Sequence, residues 1–229
     1  MNRKKLFILV LVCALIVCCF CCKTDEEKAA RQAQANWNQA SNEQRVSIYC
    51  ALIKEYMLLQ GDLGKNTPYP AMKRSVKGGM MTSGLTQTEA IAQAEEYLIV
   101  EQAVFWRAEQ DGIVVTDDEV KEYILKNVIS RMVKEPDYNM VNSACEKEGI
   151  TFEDTVWAYE SSYKVDLIGE RAGIDNYDDL ETYKEESVVR FKASADYEPY
   201  KKILENCADL IRNNVTDKKA LKEADIYYE

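Results

Sequence analysis

The sequence predicts an all-α protein, in which a compact domain of short, capped helices is completed by a C-terminal helix. An N-terminal signal or anchor helix is expected before this domain. Three observations support this fold class: apolar residues recur at helical spacing, Gly-Ile pairs mark repeated helix ends, and capping-box pairs mark repeated helix starts.

The clearest corner between two helices is centred on Gly112. This glycine supplies the positive φ that a helix C-terminus favours. Thr116 and Glu119 then have the spacing of a capping box, and Val115 and Val120 occupy the positions of a hydrophobic staple. The same signals recur at Ser41 with Gln44, Thr86 with Glu89, Thr151 with Asp154, Gly149 and Gly173.

Residues 1–22 have the layout of a signal sequence, with basic residues, then an apolar run, then a group of cysteines. This layout resembles a bacterial lipoprotein signal, and Cys19, Cys18 and Cys22 are the candidate lipid-attachment residues. If the apolar run extends through Cys22, the segment is an uncleaved membrane anchor instead. Plain secretion is the third interpretation. All three interpretations place the residues that follow this segment outside the cytoplasm. The first two also hold them at the membrane of a bacterial cell envelope.

Charge and composition exclude several classes of function. Three of the 29 basic residues lie in residues 1–22, so the remainder carries 26 basic and 39 acidic residues, a net charge of −13. Such a surface disfavours nucleic acid, whose phosphates need basic partners. The chain contains no histidine, which excludes Ser-His-Asp and Cys-His catalysis and the usual zinc sites.

Acidic pairs are the remaining candidates for catalytic or metal-binding groups, and they occur at residues 117–118, 178–179 and 185–186. The first pair is explained by the preference for acids in a first helical turn, and the others fall in a solvated connector. No EF-hand spacing, glycine-rich nucleotide motif or nucleophile motif is present. We therefore expect no enzyme activity, no cofactor and no metal site.

Three cysteines, Cys50, Cys145 and Cys207, lie outside residues 1–22, which we call the leader. Their spacings match no disulfide or metal motif. Each falls on the apolar side of an expected helix. We interpret them as buried small hydrophobic residues, and one disulfide with a spare thiol is the alternative.

The body divides into a tether at 23–40 and a helical domain at 41–229. The tether composition favours a solvated segment, although the frayed start of a helix is also compatible with it. Further helices are expected at 87–110, 117–134, 137–147, 152–172 and 199–212, with an acidic connector at 175–196 whose residues 187–191 resemble a short strand. In the helix at 87–110, Glu101 interrupts the apolar face.

A long loop is expected between Gly61, taken as the end of the first helix, and Gly84. It carries Tyr69, Met72, Met80 and Met81, which are the candidate contacts for a polypeptide partner because methionine repacks easily. Phe105 and Trp106 are the next candidates. The alternative is that these side chains pack against the helices below.

Residues 97–103, 108–120 and 148–154 resemble the N-terminal chaperone domain of the SurA/PrsA class of extracytoplasmic folding factors. The resemblance covers residues 86–173, and the helix at 199–212 is similar in position to the helix that packs back onto this domain. Members of the class often insert a parvulin isomerase module before that helix. Here the connector of about twenty residues is too short for a domain, whose usual minimum is about 50 residues. Parvulin sites are also usually built around histidine.

The resemblance implies a membrane-anchored, non-enzymatic, chaperone-like protein that binds unfolded or partly folded exported polypeptides. Two alternatives stay open: a structural or interaction lipoprotein with one dedicated partner, and a remnant of a parvulin-type isomerase. The partners expected are unfolded or exported polypeptides and the membrane, but no nucleic acid.

Overall fold

A computed structural model describes residues 24–228, and every regular element within this range is helical. The predicted all-α fold class is therefore confirmed for these residues. The expected signal or anchor helix, with Cys18, Cys19 and Cys22, lies outside them. None of the helices within residues 24–228 has both the length and the apolar character needed to span a membrane.

The helices run in the following order, with two π-helical turns. They are α1 (Asp25–Gln39), α2 (Asn42–Leu63), α3 (Tyr69–Gly78), π1 (Gly79–Ser83), α4 (Gln87–Gln110), α5 (Asp117–Tyr123), π2 (Ile124–Ile129), α6 (Ser130–Met132), α7 (Tyr138–Glu148), α8 (Phe152–Trp157), α9 (Glu160–Arg171), α10 (Tyr177–Lys192), α11 (Tyr197–Arg212) and α12 (Lys218–Glu223).

The predicted corners form as the sequence indicates. Gly112 has a φ of 70°, and the N–H of Ile113 donates to the carbonyl of Ala108 at 2.8 Å. Thr116 and Glu119 exchange the two hydrogen bonds of a capping box. The other predicted pairs, Ser41 with Gln44, Thr86 with Glu89 and Thr151 with Asp154, also form capping boxes, and Gly149 and Gly173 have positive φ.

Helix α4 is the centre of the domain because it contributes to both large apolar clusters. Its N-terminal half, including Ala94 and Leu98, packs with α3 and α11. Its C-terminal half, including Val104 and Ala108, packs with α5, α8 and α9. The expected completion of the domain by a C-terminal helix is seen in α11, where Leu204 and Cys207 are buried in the first of these clusters.

Residues 25–39, expected as a tether, form a helix that packs against π1. Thr24 caps its N-terminus, and Ala30 is buried. The side chain of Gln34 lies so close to Gly84 that an added Cβ would stand 2.4 Å from its Oε1. The polar composition suggested mobility, but a solvated face is compatible with a helix that packs along one side.

The expected loop between Gly61 and Gly84 is mostly helical, so that prediction was wrong. Helix α2 continues through Gly61 to Leu63 and is capped by Gly64, and α3 and π1 occupy residues 69–83. Pro68 precedes the first residue of α3 and Pro70 lies in its first turn. Proline has no N–H to donate, and the N–H groups of a first turn have no intrahelical acceptor, so proline costs nothing there. The prolines therefore start a helix here instead of extending a loop.

The expected connector at 175–196, with its short strand, is helix α10, which packs along α4. Its buried residues Tyr183, Ser187 and Phe191 are four apart, which is helical spacing, and Asn176 caps its N-terminus. The Val188-Val189 pair suggested a strand, but Val189 is 70% exposed and Val188 lies near the core. Tertiary packing overrides the local β propensity.

Two other helices differ from their expected form. The helix at 117–134 contains π2, whose wider turn shifts the buried face, so that Ile129 is buried while Met132 is 39% exposed. The helix expected at 152–172 is divided at Ala158 and Tyr159 into α8 and α9.

Candidate functional site

The predicted contact residues Tyr69 and Met72 are buried, so they are not available to a partner. Both lie on the inner face of α3 with no exposed surface, and the Tyr69 hydroxyl donates to the carbonyl of Val215 at 3.2 Å. Helix formation explains this outcome, because residues 69, 72 and 76 fall on one side of α3 and Val76 is buried with them. Their assignment as contact residues is corrected.

Met80 and Met81 are half-buried in π1, beside α1. Gly79, in the same turn, lies near Ala90 at the N-terminal end of α4. Phe105 and Trp106 lie in the C-terminal half of α4, and fifteen residues of helix span about 22 Å. The predicted contact residues therefore do not form one surface.

Phe105 and Trp106 are half-buried and line the same cleft, which has a cavity volume of about 770 Å³. Its walls come from α4, α9, α10, α11 and the segment that follows α12. The lining residues are Gln102, Phe105, Trp106, Glu109, Gln110, Lys164, Phe191, Asp196, Pro199, Tyr200, Ile203, Tyr227 and Tyr228.

A series of aromatic rings runs along this cleft. The ring centroids of Trp106 and Phe191 are 5.9 Å apart, those of Phe191 and Tyr200 are 6.0 Å apart, and those of Tyr200 and Tyr228 are 6.1 Å apart. These separations are typical of stabilising aromatic pairs. The indole N–H of Trp106 donates to Asp196 at 2.9 Å, so the ring is held in place at the cleft wall.

The C-terminal segment forms one wall of the cleft, which sequence reasoning missed. Ile226 has no exposed surface and anchors the segment in the apolar core. The N–H of Tyr228 donates to the carbonyl of Asn66 at 3.0 Å, and its hydroxyl donates to the carbonyl of Lys65 at 3.3 Å. The alternation of apolar and polar residues near 226 was the available signal, but it does not identify the surface that the segment covers.

A second depression, of about 330 Å³, lies next to the cleft and shares Phe105, Glu109 and Lys164 with it. The ammonium of Lys164 lies 5.3 Å from the centroid of the Phe105 ring. Val114, at the rim of this depression, is 65% exposed. The two depressions give a surface with apolar side chains at its base and both signs of charge at its edge.

A side cavity of about 100 Å³ adjoins the cleft and contains Glu101. This carboxyl is only 7% exposed, and its Oε1 accepts hydrogen bonds from Tyr97 at 2.6 Å, Ser161 at 2.8 Å and Ser162 at 3.2 Å. Burial raises the pKa of Glu101, while these hydroxyl donors and the positive charge of Arg74 partly offset that rise. The signal in the sequence was a carboxylate on an apolar helix face.

Arg74 is the second buried charge in this region, with 5% of its surface exposed. Its guanidinium lies 4.6 Å from the ring centroid of Tyr56 and 4.1 Å from that of Tyr159. It also donates to the carbonyl of Ala158. Two rings and a carbonyl therefore stabilise the Arg74 charge.

Within residues 24–228, no group of three or more cysteine, aspartate or glutamate side chains is arranged to hold a metal ion. The cleft and its side cavity instead offer aromatic and apolar side chains and the buried carboxylate of Glu101, which are features of a binding surface. Comparisons with protein-family models, with curated proteins and with solved structures gave no match.

Proposed function

We propose that this protein is a membrane-anchored, extracytoplasmic, chaperone-like protein that holds an extended apolar segment of another polypeptide in its aromatic cleft, without catalysis. The observation that carries the proposal is the cleft itself, because one open surface presents the half-buried rings of Phe105, Trp106 and Tyr228, and the buried ring of Tyr200 also lines it. Large aromatic side chains contribute most of the binding energy in many polypeptide interfaces.

The dimensions of the surface support a polypeptide over a small molecule. The cleft and the second depression share Phe105, so an occupant that crosses this ring contacts both. An extended chain advances about 3.3 Å per residue, so a few residues fill the two depressions. Alternate side chains of such a segment would contact the aromatic wall of the cleft and the apolar side chains of the second depression, including Val114 at its rim.

The charge of the molecule supports a partner with apolar and basic residues. Without the leader the chain carries a net charge of −13, which attracts basic segments and repels acidic ones. Polar and charged groups at the cleft edge, including Glu109, Lys164 and Asp196, favour weak and reversible binding. These properties suit transient holding of unfolded chains.

The proposal is tested by suppression of aggregation, with the full-length protein in detergent and a chemically unfolded client. We expect suppression at near-equal molar ratio, and a loss of at least about fivefold in potency for Phe105→Ser, since a buried aromatic contact contributes about 1.5–3 kcal/mol. Tyr177→Ser is the matched control, because Tyr177 is 72% exposed and lies outside the cleft.

Three results would contradict the proposal. The first is that the wild-type protein does not suppress aggregation at severalfold excess. The second is that Phe105→Ser is as potent as wild type, and the third is that Phe105→Ser and Tyr177→Ser lose potency equally. Thermal unfolding followed by circular dichroism shows whether Phe105→Ser retains the fold. A single tight partner recovered from cell envelopes, with no effect on unfolded clients, would favour the interaction lipoprotein with one dedicated partner.

A further inference from the structure

Glu101 is a buried carboxylate with hydrogen-bond partners on only one of its two oxygens. The three hydroxyl donors, from Tyr97, Ser161 and Ser162, all bind Oε1. Oε2 accepts no hydrogen bond from the described residues, and it is not sealed from solvent. The carboxylate is therefore fixed in orientation by one oxygen and left open at the other.

The charge of this carboxylate is also not neutralised by an ion pair. Arg74, the nearest buried cation, is stacked between Tyr56 and Tyr159 and donates to the carbonyl of Ala158, and it forms no ion pair with Glu101 in residues 24–228. Burying an unpaired carboxylate costs desolvation free energy unless a nearby cation or a bound proton neutralises its charge.

The cavity around Glu101 has the composition of a cation site. Tyr56, Tyr200 and Tyr228 line it together with Glu101, and aromatic faces attract cations when water is excluded. Lys65 also lines the cavity, but its ammonium lies 3.2 Å from Glu160 and 3.7 Å from Asp117. Lys65 is therefore paired with these two carboxylates and not with Glu101, so Glu101 can bind a cation from another molecule.

The cavity and the cleft adjoin each other. Gln102, Phe105, Tyr200 and Tyr228 line both of them. A volume of about 100 Å³ accommodates the end of one long side chain but not a peptide backbone. An occupant of the cleft would therefore reach Glu101 through a single flexible side chain.

We propose that the side cavity binds the ammonium or guanidinium group of one lysine or arginine of the polypeptide segment held in the cleft, with Glu101 as the carboxylate that recognises it. This inference rests on the proposed function and narrows it, because it selects segments in which a basic residue lies among apolar and aromatic ones. Glu101 would accept a charge-assisted hydrogen bond at Oε2, while the hydroxyl groups on Oε1 keep it oriented.

The test compares two labelled peptides by fluorescence anisotropy with the full-length protein in detergent. Both have blocked termini and the same apolar and aromatic residues, and one has a central lysine where the other has norleucine. We expect the wild-type protein to bind the lysine peptide about tenfold more tightly, which is typical of a hydrogen bond to a buried charge. Glu101→Gln should bind both peptides with the affinity that the wild type shows for the norleucine peptide.

Glu135→Gln is the matched control, because it removes the same charge from an exposed position outside the cavity. It should keep the preference for lysine. The inference is overturned if the wild type binds the two peptides equally, if Glu101→Gln keeps the preference, or if both variants lose it. If the wild type binds neither peptide, the proposed function fails as well, whereas equal binding of both peptides leaves that function standing and rejects only the role of Glu101.

Discussion

The Sγ atoms of Cys50 and Cys145 lie 3.4 Å apart, so two thiols with no exposed surface are in direct contact between α2 and α7. Both are free, as is Cys207, which lies in a different apolar cluster on α11. Burial raises the pKa of Cys50, and it raises the pKa of Cys145 to about 12. The predicted burial of all three cysteines is confirmed.

A thiol oxidant of the organic disulfide class should convert this pair to a Cys50–Cys145 disulfide. Each bond formed releases two reduced oxidant thiols, and the reaction should be slow in the native protein because burial and the raised pKa values suppress the thiolate. The bond joins residues 95 apart in sequence, so we expect stabilisation of about 2–4 kcal/mol. Peptide mapping by mass spectrometry without reductant identifies the cross-link.

The controls for this reaction are Cys207→Ser, which should still form the cross-link, and Cys145→Ser, which should not. Thermal unfolding of oxidised and reduced samples measures the gain in stability. Mild denaturant should admit the oxidant to the buried pair. If no cross-link forms even then, or if the cross-link contains Cys207, Cys50 and Cys145 are not neighbours and α2 and α7 do not pack as described.

Gly169→Ala should destabilise the protein because α9 and α10 pack closely at this position. A Cβ on Gly169 would stand 2.7 Å from the Cδ1 atom of Leu180, so one helix or the leucine must move. Overpacking costs about 1–3 kcal/mol, and the low end applies here because the half-buried Leu180 side chain can rotate and alanine in a helix returns about 0.5–1 kcal/mol, so we expect a net loss of at most about 1 kcal/mol. The free energy of unfolding in urea measures the effect.

Gly61→Ala is the matched control and should have the opposite sign. Gly61 lies inside α2, and an added Cβ would meet no atom within 4 Å. Replacing glycine by alanine within a helix stabilises it by about 0.5–1 kcal/mol. Destabilisation of Gly61→Ala would indicate that α2 ends before this residue.

Glu119 should contribute stability that is present at neutral pH and lost in acid. Hydrogen bonds from the Thr116 backbone and hydroxyl, together with the guanidinium of Arg171, lower its pKa to about 2. In the unfolded chain the pKa returns towards 4.5. The stabilisation is therefore complete above about pH 4.5 and is lost as the pH falls towards 2.

The variant Glu119→Gln isolates this effect, because the amide oxygen can still accept the capping hydrogen bond while the charge is removed. The melting temperature of Glu119→Gln should be below that of wild type at pH 7, and the two should converge as the pH approaches 2. A difference that is independent of pH would show that the charge has no part in it.

Glu101 should give the reverse dependence, because burial raises its pKa in the folded protein. Between the unfolded and folded pKa values the folded state holds more protons, so stability falls as the pH rises through this window. Glu101→Gln removes the titration. We expect the stability of wild type relative to Glu101→Gln to decrease from acidic to neutral pH, measured by thermal unfolding in one buffer series.

The titratable groups around Glu101 must not change their charge in the same pH range. Arg74 on α3 lowers its pKa, and the phenols of Tyr56, Tyr97, Tyr200 and Tyr228 have raised pKa values, so they stay neutral through this range. Parallel curves for wild type and Glu101→Gln would rule out a titration of Glu101 above its ordinary range.

Helix starts and ends were predictable from the sequence because they depend on residues close together in the chain. The capping box of Thr116 and Glu119 spans three residues, and the hydrogen bond from Ile113 to Ala108 spans five. Such interactions form with little help from the rest of the fold. The bounds of α4 were correct for the same reason, since a capping box and a helix-ending glycine enclose it.

The candidate site was only partly predictable. Phe105 and Trp106 were identified as large aromatic residues of α4, with Phe105 expected on its apolar face and Trp106 away from that face. Tyr69 and Met72 were assigned to a loop surface, and α3 turns both inward. Glu101 was recognisable as a carboxylate on an apolar helix face, but its three hydroxyl partners and its open oxygen were not.

By itself, the sequence determined that residues 86–172 form helices joined at capped corners, since the signals are hydrogen bonds and contacts within a few residues. Only the tertiary structure decided that residues 177–192 are helical, that Tyr69 and Met72 are buried, and that Phe105, Tyr200 and Tyr228 share a cleft. The physical reason is separation along the chain: the hydroxyl of Tyr200 reaches the carbonyl of Leu98, and the N–H of Tyr228 reaches the carbonyl of Asn66. Such contacts join elements about 100 residues or more apart and depend on how every intervening helix packs.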